Sequence, residues 1–224
     1  MSDSLLNEQK DIYRKNFLEH GDTPEGVFWN NLETQHLRFN RLLKNFGLTS
    51  PFSIHDIGCG TCNLHEYLQQ NNIKHDYHGT EIVPEMVETA KKKFPGIKVF
   101  ERNMLTEQNI ETCDIGVVSG TFNLGGNSDA DQWKKYVFGI MKKLFSVSSR
   151  GSAYNFLTTY KTRTDPFLSY FNPAEVFDFC MKNLSRFVIL DHAYPFYEFT
   201  ITVYQEDFLE KEYPGHVYQK YFNR

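Results

Sequence analysis

Short apolar runs alternate with helix-spaced stripes along most of this chain. A run ending in Ile54-His55-Asp56-Ile57 reads as a first buried strand, and Leu64, Tyr67 and Leu68 follow on one helical face. Residues 76–83 read as a second strand. Pro84 then opens a helix in which Val83, Val87, Ala90 and Phe94 share a face, and Pro95-Gly96 stops it. Residues 97–100 and 114–119 read as third and fourth strands. After them Trp133, Tyr136, Val137, Ile140, Met141, Leu144 and Phe145 form the clearest amphipathic stripe in the chain. A fifth strand is predicted at 152–157, followed by a long loop. Asn172-Pro173-Ala174-Glu175 then supplies a helix cap, a first-turn proline and a reciprocal acid. Residues 187–190 give a sixth strand. In 198–204 Phe199, Ile201 and Val203 alternate with polar residues, predicting a last strand with one more polar face. Strands alternating with helices place the chain in the α/β class.

Gly58 and Gly60 follow the first strand, where a tight turn lets backbone N–H groups approach a ligand. A dinucleotide fingerprint would add a third glycine at position 63, which is Asn63. Asp56 would repel a pyrophosphate but accept hydrogen bonds from an ammonium group. Glu81 lies 21 residues past Gly60 at the end of the second strand, where an acid hydrogen-bonds a ribose diol in such folds.

The Asp56-x-Gly58-x-Gly60 pattern resembles motif I of the Rossmann-like S-adenosylmethionine (SAM)-dependent methyltransferases, and the resemblance spans roughly residues 50 to 205 and somewhat beyond in the N-terminal segment. It implies a seven-stranded, mostly parallel sheet of order 3-2-1-4-5-7-6, with the last strand antiparallel and helices on both faces. It implies SAM as cofactor, held by Asp56, Gly58, Cys59 and Gly60 at the turn and by Glu81 and Ile82 after the second strand. Asn103, where the family usually has Asp, and the backbone N–H of Met104 would read the adenine. Ser119 and Gly120 would lie beside the methyl group, with Thr121 and Asn123 on the substrate side. Arg38 would meet the methionyl carboxylate, as comparable arginines do. The segments His20-Gly21-Asp22, Ser119-Gly120-Thr121-Phe122-Asn123 and Tyr197-Glu198-Phe199-Thr200 look like a bacterial subgroup acting on small molecules, often tied to glycan or specialised-metabolite genes.

In residues 25–46, Trp29, Leu32, Phe39, Leu43 and Phe46 fall on one helical stripe with His36. This helix is expected on the sheet edge. Ile12, Tyr13 and Phe17 suggest a shorter helix before it, and His20-Gly21-Asp22-Thr23-Pro24 a loop. Together 1–48 form a helical extension placed to cover a cofactor, within a single domain spanning 1–224.

Methyl transfer from a sulfonium needs alignment, and it needs a base only when the acceptor must lose a proton. Of eight histidines, His192 follows the sixth strand and is the first candidate base. His20, with Asp22 to orient it, is the second. His55, inside the first strand, reads as core. The loop 158–171 brings together Tyr160, Lys161, Arg163, Tyr170 and Phe171, a set suited to a planar or anionic acceptor, and Tyr194 lies in the next loop.

With 224 residues, 40% of them hydrophobic, the chain can fill one sizeable core. A net charge of −4 and a pI near 6.1 argue against a nucleic-acid substrate. Lys91-Lys92-Lys93, the one basic run, reads as a solvated helix face. No apolar run reaches the roughly 20 residues of a membrane span, and the N-terminus lacks a signal-peptide layout, so a cytoplasmic protein is expected, monomeric or homodimeric. Cys59-Gly60-Thr61-Cys62 is a lone CxxC that coincides with the turn, and no metal is expected. The expected reaction is methylation of a small-molecule acceptor at oxygen, with nitrogen next. The alternatives are a SAM-binding regulator or partner subunit without catalysis, and an NAD-linked oxidoreductase.

Overall fold

The computed structural model describes residues 3–125 and 129–222. Its strands are β1 (Phe52–Ile57), β2 (His75–Glu81), β3 (Lys98–Glu101), β4 (Cys113–Val118), β5 (Ser148–Thr158), β6 (Tyr170–Phe171), β7 (Val188–Asp191) and β8 (Glu198–Tyr204). They form one sheet of order β3-β2-β1-β4-β5-β8-β7, with the two-residue β6 paired to β5. Apart from that short extra strand, this is the order the resemblance implies. The strands β1 to β6 pair in parallel, and β8 runs antiparallel to both β5 and β7.

The helices are α1 (Asp3–His20), α2 (Leu32–Leu43), α3 (Asn63–Gln70), α4 (Pro84–Lys93), α5 (Ala130–Ser146), α6 (Pro173–Asn183), α7 (Glu206–Glu212) and α8 (His216–Gln219). Leu42 of α2, Leu68 of α3 and Ala90 of α4 join the core on one face of the sheet. Val137, Ile140 and Leu144 of α5 and Val176 of α6 build the core on the other. Helices on both faces explain why β1 and β4 are buried along nearly their whole length, without alternation.

The N-terminal segment departs from its pattern. The stripe predicted over 25–46 is broken: Glu25–Val27 forms a 3-10 turn, and Asn31 caps α2 by accepting from Thr34 N at 2.9 Å. Trp29 therefore lies outside the helix. Helix α2 packs mainly on β5 and β8, interior strands, and touches the edge strand β7 through the Arg41–Asp191 ion pair at 3.4 Å. Its cover also removes the polar face expected of β8, whose seven residues are all buried. Each polar side chain there finds a partner: Thr202 with Asn45 at 3.2 Å, Thr200 with Tyr194 at 3.1 Å, and Glu198 with Arg38. The first helix, α1, is 18 residues long, longer than its apolar spacing suggests.

Two capping and charge details also differ. Asn172 caps α6 through Ala174 N at 2.9 Å, but Glu175 turns away to Lys134 at 2.7 Å. Lys93 is not solvated like Lys91 and Lys92: it bridges Glu66 at 2.7 Å and Asp22 at 3.3 Å, tying the loop after α1 to α3.

Candidate active site

The turn after β1 is built from positive-φ residues, Gly58 at 70°, Gly60 at 55° and Cys62 at 67°. Gly58 is required by its neighbour as well, since a Cβ there would stand 2.1 Å from Thr121 Oγ1. At Gly60 the only side chain in range among the described residues is Val27, 3.5 Å away. Gly58 N and Cys59 N donate to Thr80 O at 2.8 and 3.2 Å, which locks the turn to the end of β2.

Two buried carboxylates stand at this turn. Glu81 accepts from Gly60 N at 2.8 Å, Ile82 N at 2.7 Å and Val83 N at 3.0 Å. Burial raises its pKa, and those N–H groups act in the opposite sense. Asp56 accepts from the Tyr77 hydroxyl at 2.8 Å through one oxygen, and the other has no partner among the described residues. Burial pushes the Asp56 carboxyl up to about 7, against the Tyr77 hydrogen bond and with the help of Glu81.

Both carboxylates line a cavity of about 280 Å³ at the carboxyl ends of β1, β2 and β4, the position where doubly wound sheets bind ligands. Ser119, Gly120, Thr121 and Asn123 form one wall, and Tyr13, Trp29 and Arg38 of the N-terminal segment cover it. Trp29 packs so closely on Gly120 that a Cβ there would lie 2.4 Å from the indole. Arg38 sits between Trp29 and Phe196, 4.4 Å from each ring. Its Nε reaches both Glu198 oxygens at 2.8 and 3.0 Å, Nη2 also donates to Glu198, and Nη1 donates to Thr34 O at 2.8 Å. The pair is buried, with side chains 10% and 3% exposed.

Residues 54–143 match a general methyltransferase domain family, a span that runs from β1 through most of α5. The chain is 37% identical over 158 residues to the Mycobacterium tuberculosis protein Rv1506c, named as a methyltransferase, covering 68% of this chain and 93% of that protein. The chain belongs to the class I SAM-dependent methyltransferases. The fold agrees. Magnesium protoporphyrin IX methyltransferase of Synechocystis PCC 6803 with bound SAM superposes with a TM-score of 0.58 at 14% identity, covering 87% of this chain and 97% of that one. The DhpI complex with SAM and HEP gives 0.62 at 12% identity, covering 90% and 98%.

As a methyltransferase site, the cavity has groups that fit SAM. Its unpartnered Asp56 oxygen can take an ammonium, and behind the lining Met104 N–H has no partner among the described residues. Of the residues singled out in the sequence, the cavity lining brings together Asp56, Gly58, Cys59, Gly60, Glu81, Ser119, Gly120, Thr121, Asn123 and Arg38. Ile82 and Met104 lie behind it, packed in separate core groups. Asn103 turns its Oδ1 onto Leu105 N at 2.9 Å.

Other singled-out residues lie elsewhere. His192 is exposed, 6.3 Å from the Tyr160 ring, and His20 is exposed between Glu19 and Glu25, so neither histidine lines the cavity. Tyr160 and Arg163 are exposed, Tyr170 carries Lys161 over its ring at 3.9 Å, and Tyr194 is buried against Thr200 and Arg41. The loop that carries Tyr160 to Tyr170 reaches the site through Leu168 instead, where Ser169 N donates to Asn123 O at 2.8 Å.

Sequence reasoning did not single out Tyr13, Trp29, Gln35, Leu168 or Glu198 as site residues, although all line the cavity. Glu198 had a usable signal, the one charged residue in its strand. Cys59 and Cys62 are free thiols 4.0 Å apart, and their place in the turn gives them packing roles.

Proposed function

We propose that this methyltransferase acts on a small molecule, at oxygen first and nitrogen next. The observation that carries this reading is the cover over the cavity. The described part of the N-terminal extension acts as its lid, with Tyr13, Trp29 and Arg38 closing over the turn, so a macromolecular acceptor would have to displace it. The SAM-bound protoporphyrin methyltransferase named above lends support, since its acceptor is a small molecule.

SAM supplies an electrophilic methyl group to an acceptor lone pair, and the chain's residues hold and align the two. In this reading Asp56 accepts from the cofactor's ammonium and the Gly58-Cys59-Gly60 turn approaches its methionyl part. Glu81 and Ile82 hold the ribose, Asn103 and Met104 lie at the adenine, and Arg38 meets the methionyl carboxylate. An arginine carries five N–H groups, and the bonds to Glu198 and Thr34 O leave one on each Nη. Ser119 and Gly120 face the methyl group, with Thr121 and Asn123 beyond. Ser119 Oγ and Asn123 Oδ1 are buried without partners among the described residues, which suits an acceptor carrying hydroxyl or amine donors.

Proton removal by His192 or His20 requires an acceptor that extends past the cavity, because neither ring lines it. Tyr160, Arg163, Tyr170 and Tyr194 would contact only such an extended acceptor. Alignment without a histidine base suits the enclosed geometry. A cytoplasmic setting belongs to this reading, supported by four free, buried cysteines. The test is mass spectrometry of candidate alcohols, phenols and amines incubated with protein and SAM. Gain of one CH₂ on a small acceptor supports the reading, and methylation confined to protein or nucleic acid contradicts it.

A further inference from the structure

The inner face of α1 carries one polar residue among apolar ones. Leu6, Gln9, Tyr13 and Phe17 follow at helical spacing. Leu6 packs against the core group containing Met104 and Tyr136, beyond the end of β3. Tyr13 and Phe17 pack with Ile82, Val83 and Met86, beyond the end of β2, and Tyr13 lines the cavity. Gln9 therefore falls between the segments that follow β2 and β3. Its neighbour Lys10 fixes that register through an ion pair with Glu101 at 3.3 Å.

Gln9 is 3% exposed, and neither Oε1 nor Nε2 has a partner among the described residues. A buried carboxamide with both ends unmade is costly unless something else satisfies it. The two flanking segments are those that bracket the adenosine end of the cofactor in this fold, since Glu81 closes β2 and Met104 follows β3. Asn103, which the family resemblance places at the adenine, has committed its oxygen to Leu105 N.

We propose that Gln9 reads the adenine of SAM, with Oε1 accepting from the 6-amino group and Nε2 donating to N7, while Met104 N–H meets N1. A carboxamide presents a donor and an acceptor side by side and matches this edge of adenine in a bidentate way. The proposal rests on the cofactor assignment and is independent of the acceptor.

Calorimetry with S-adenosylhomocysteine (SAH) and its 7-deaza analogue, in which CH replaces N7, tests this on the wild type and on Gln9→Leu. Leucine is close in size and lacks both amide atoms. The wild type should bind SAH about tenfold more tightly than the analogue, the scale of one hydrogen bond to a buried group. In Gln9→Leu the two should bind alike, with SAH weakened about 10- to 30-fold and the melting temperature of the free protein unchanged or raised. If the leucine variant does not fold, Gln9→Met takes its place. Equal affinity of the wild type for SAH and the analogue overturns the proposal, as does an undiminished N7 preference in the variant. Failure of the wild type to bind SAH at all would instead remove the cofactor assignment beneath it.

Discussion

Arg38 and Glu198 are 160 residues apart in sequence and meet as a buried pair, held between the Trp29 and Phe196 rings at the cavity's cover. The contact joins α2 to the start of β8, so the N-terminal cover is fastened to the sheet by charge as well as by packing. Breaking a buried pair from one side leaves an uncompensated charge. Arg38→Met and Glu198→Leu should each cost about 3 to 5 kcal/mol, while the double variant should cost clearly less than their sum. Urea unfolding of the four proteins measures this cycle, and additivity within about 0.5 kcal/mol would show that the two side chains are not coupled.

The two turn glycines should separate fold from ligand binding. Gly58→Ala brings a Cβ against Thr121 and a strained φ, and should cost about 2 to 5 kcal/mol, part of it recovered by Thr121→Ala in the same chain. Gly60→Ala meets open space beyond Val27 and should cost about 1 to 2 kcal/mol from φ alone. Chemical unfolding checks both values. Equal losses at the two positions would contradict the packing described for Gly58.

Much of this site was legible in the sequence because motif and spacing report backbone geometry. Gly58, Gly60 and Glu81 had to sit at the ends of β1 and β2 once the strands were placed, and the family resemblance implied the sheet order. The cover was less legible. Trp29 fits the helical stripe that runs on through Leu32 and Phe39, and only the cap at Asn31 removes it from the helix. Glu198 and Arg38 find each other through tertiary packing, which no local pattern encodes. The histidines were chosen by position after strands, yet a loop position does not fix where a side chain points, and both rings lie outside the cavity.

His55 and Asp56 are adjacent in β1 and should pull stability in opposite directions with pH. Burial holds the His55 imidazole down at about 3, so acidification from 6.5 favours the unfolded chain, which takes up that proton. Asp56 is raised from 3.8 to about 7, so the folded chain keeps its proton over that range and acidification favours folding. Between pH 6.5 and 3.8 the two slopes largely cancel. Asp56→Asn should expose the histidine slope and lose stability steadily as pH falls below 6.5, as thermal unfolding across that range would show. A variant whose pH profile matches the wild type's would contradict the burial of Asp56.

In the proposed binding mode Glu81 joins the cofactor to the turn. Glu81→Ala should weaken SAM and SAH by a similar factor, about tenfold to a hundredfold, because the ribose is the same before and after transfer. The free protein should also lose about 1 to 3 kcal/mol or more, since the N–H groups of Gly60, Ile82 and Val83 lose their acceptor. Parallel calorimetry and unfolding separate the two effects. Normal affinity with collapsed turnover would move Glu81 from binding to chemistry.

The most direct measurement is calorimetric titration of SAH and of NAD into the purified chain across pH 5.5 to 8.5. SAH should bind with one site per chain, and its affinity should fall with acidification through about 7, where a proton begins to compete with the ammonium for the Asp56 carboxylate. That pH dependence should vanish in Asp56→Asn, and NAD should give no heat of binding. Binding of NAD in place of SAH, or SAH binding that is unaffected by both pH and Asp56→Asn, would contradict the methyltransferase site described for this cavity.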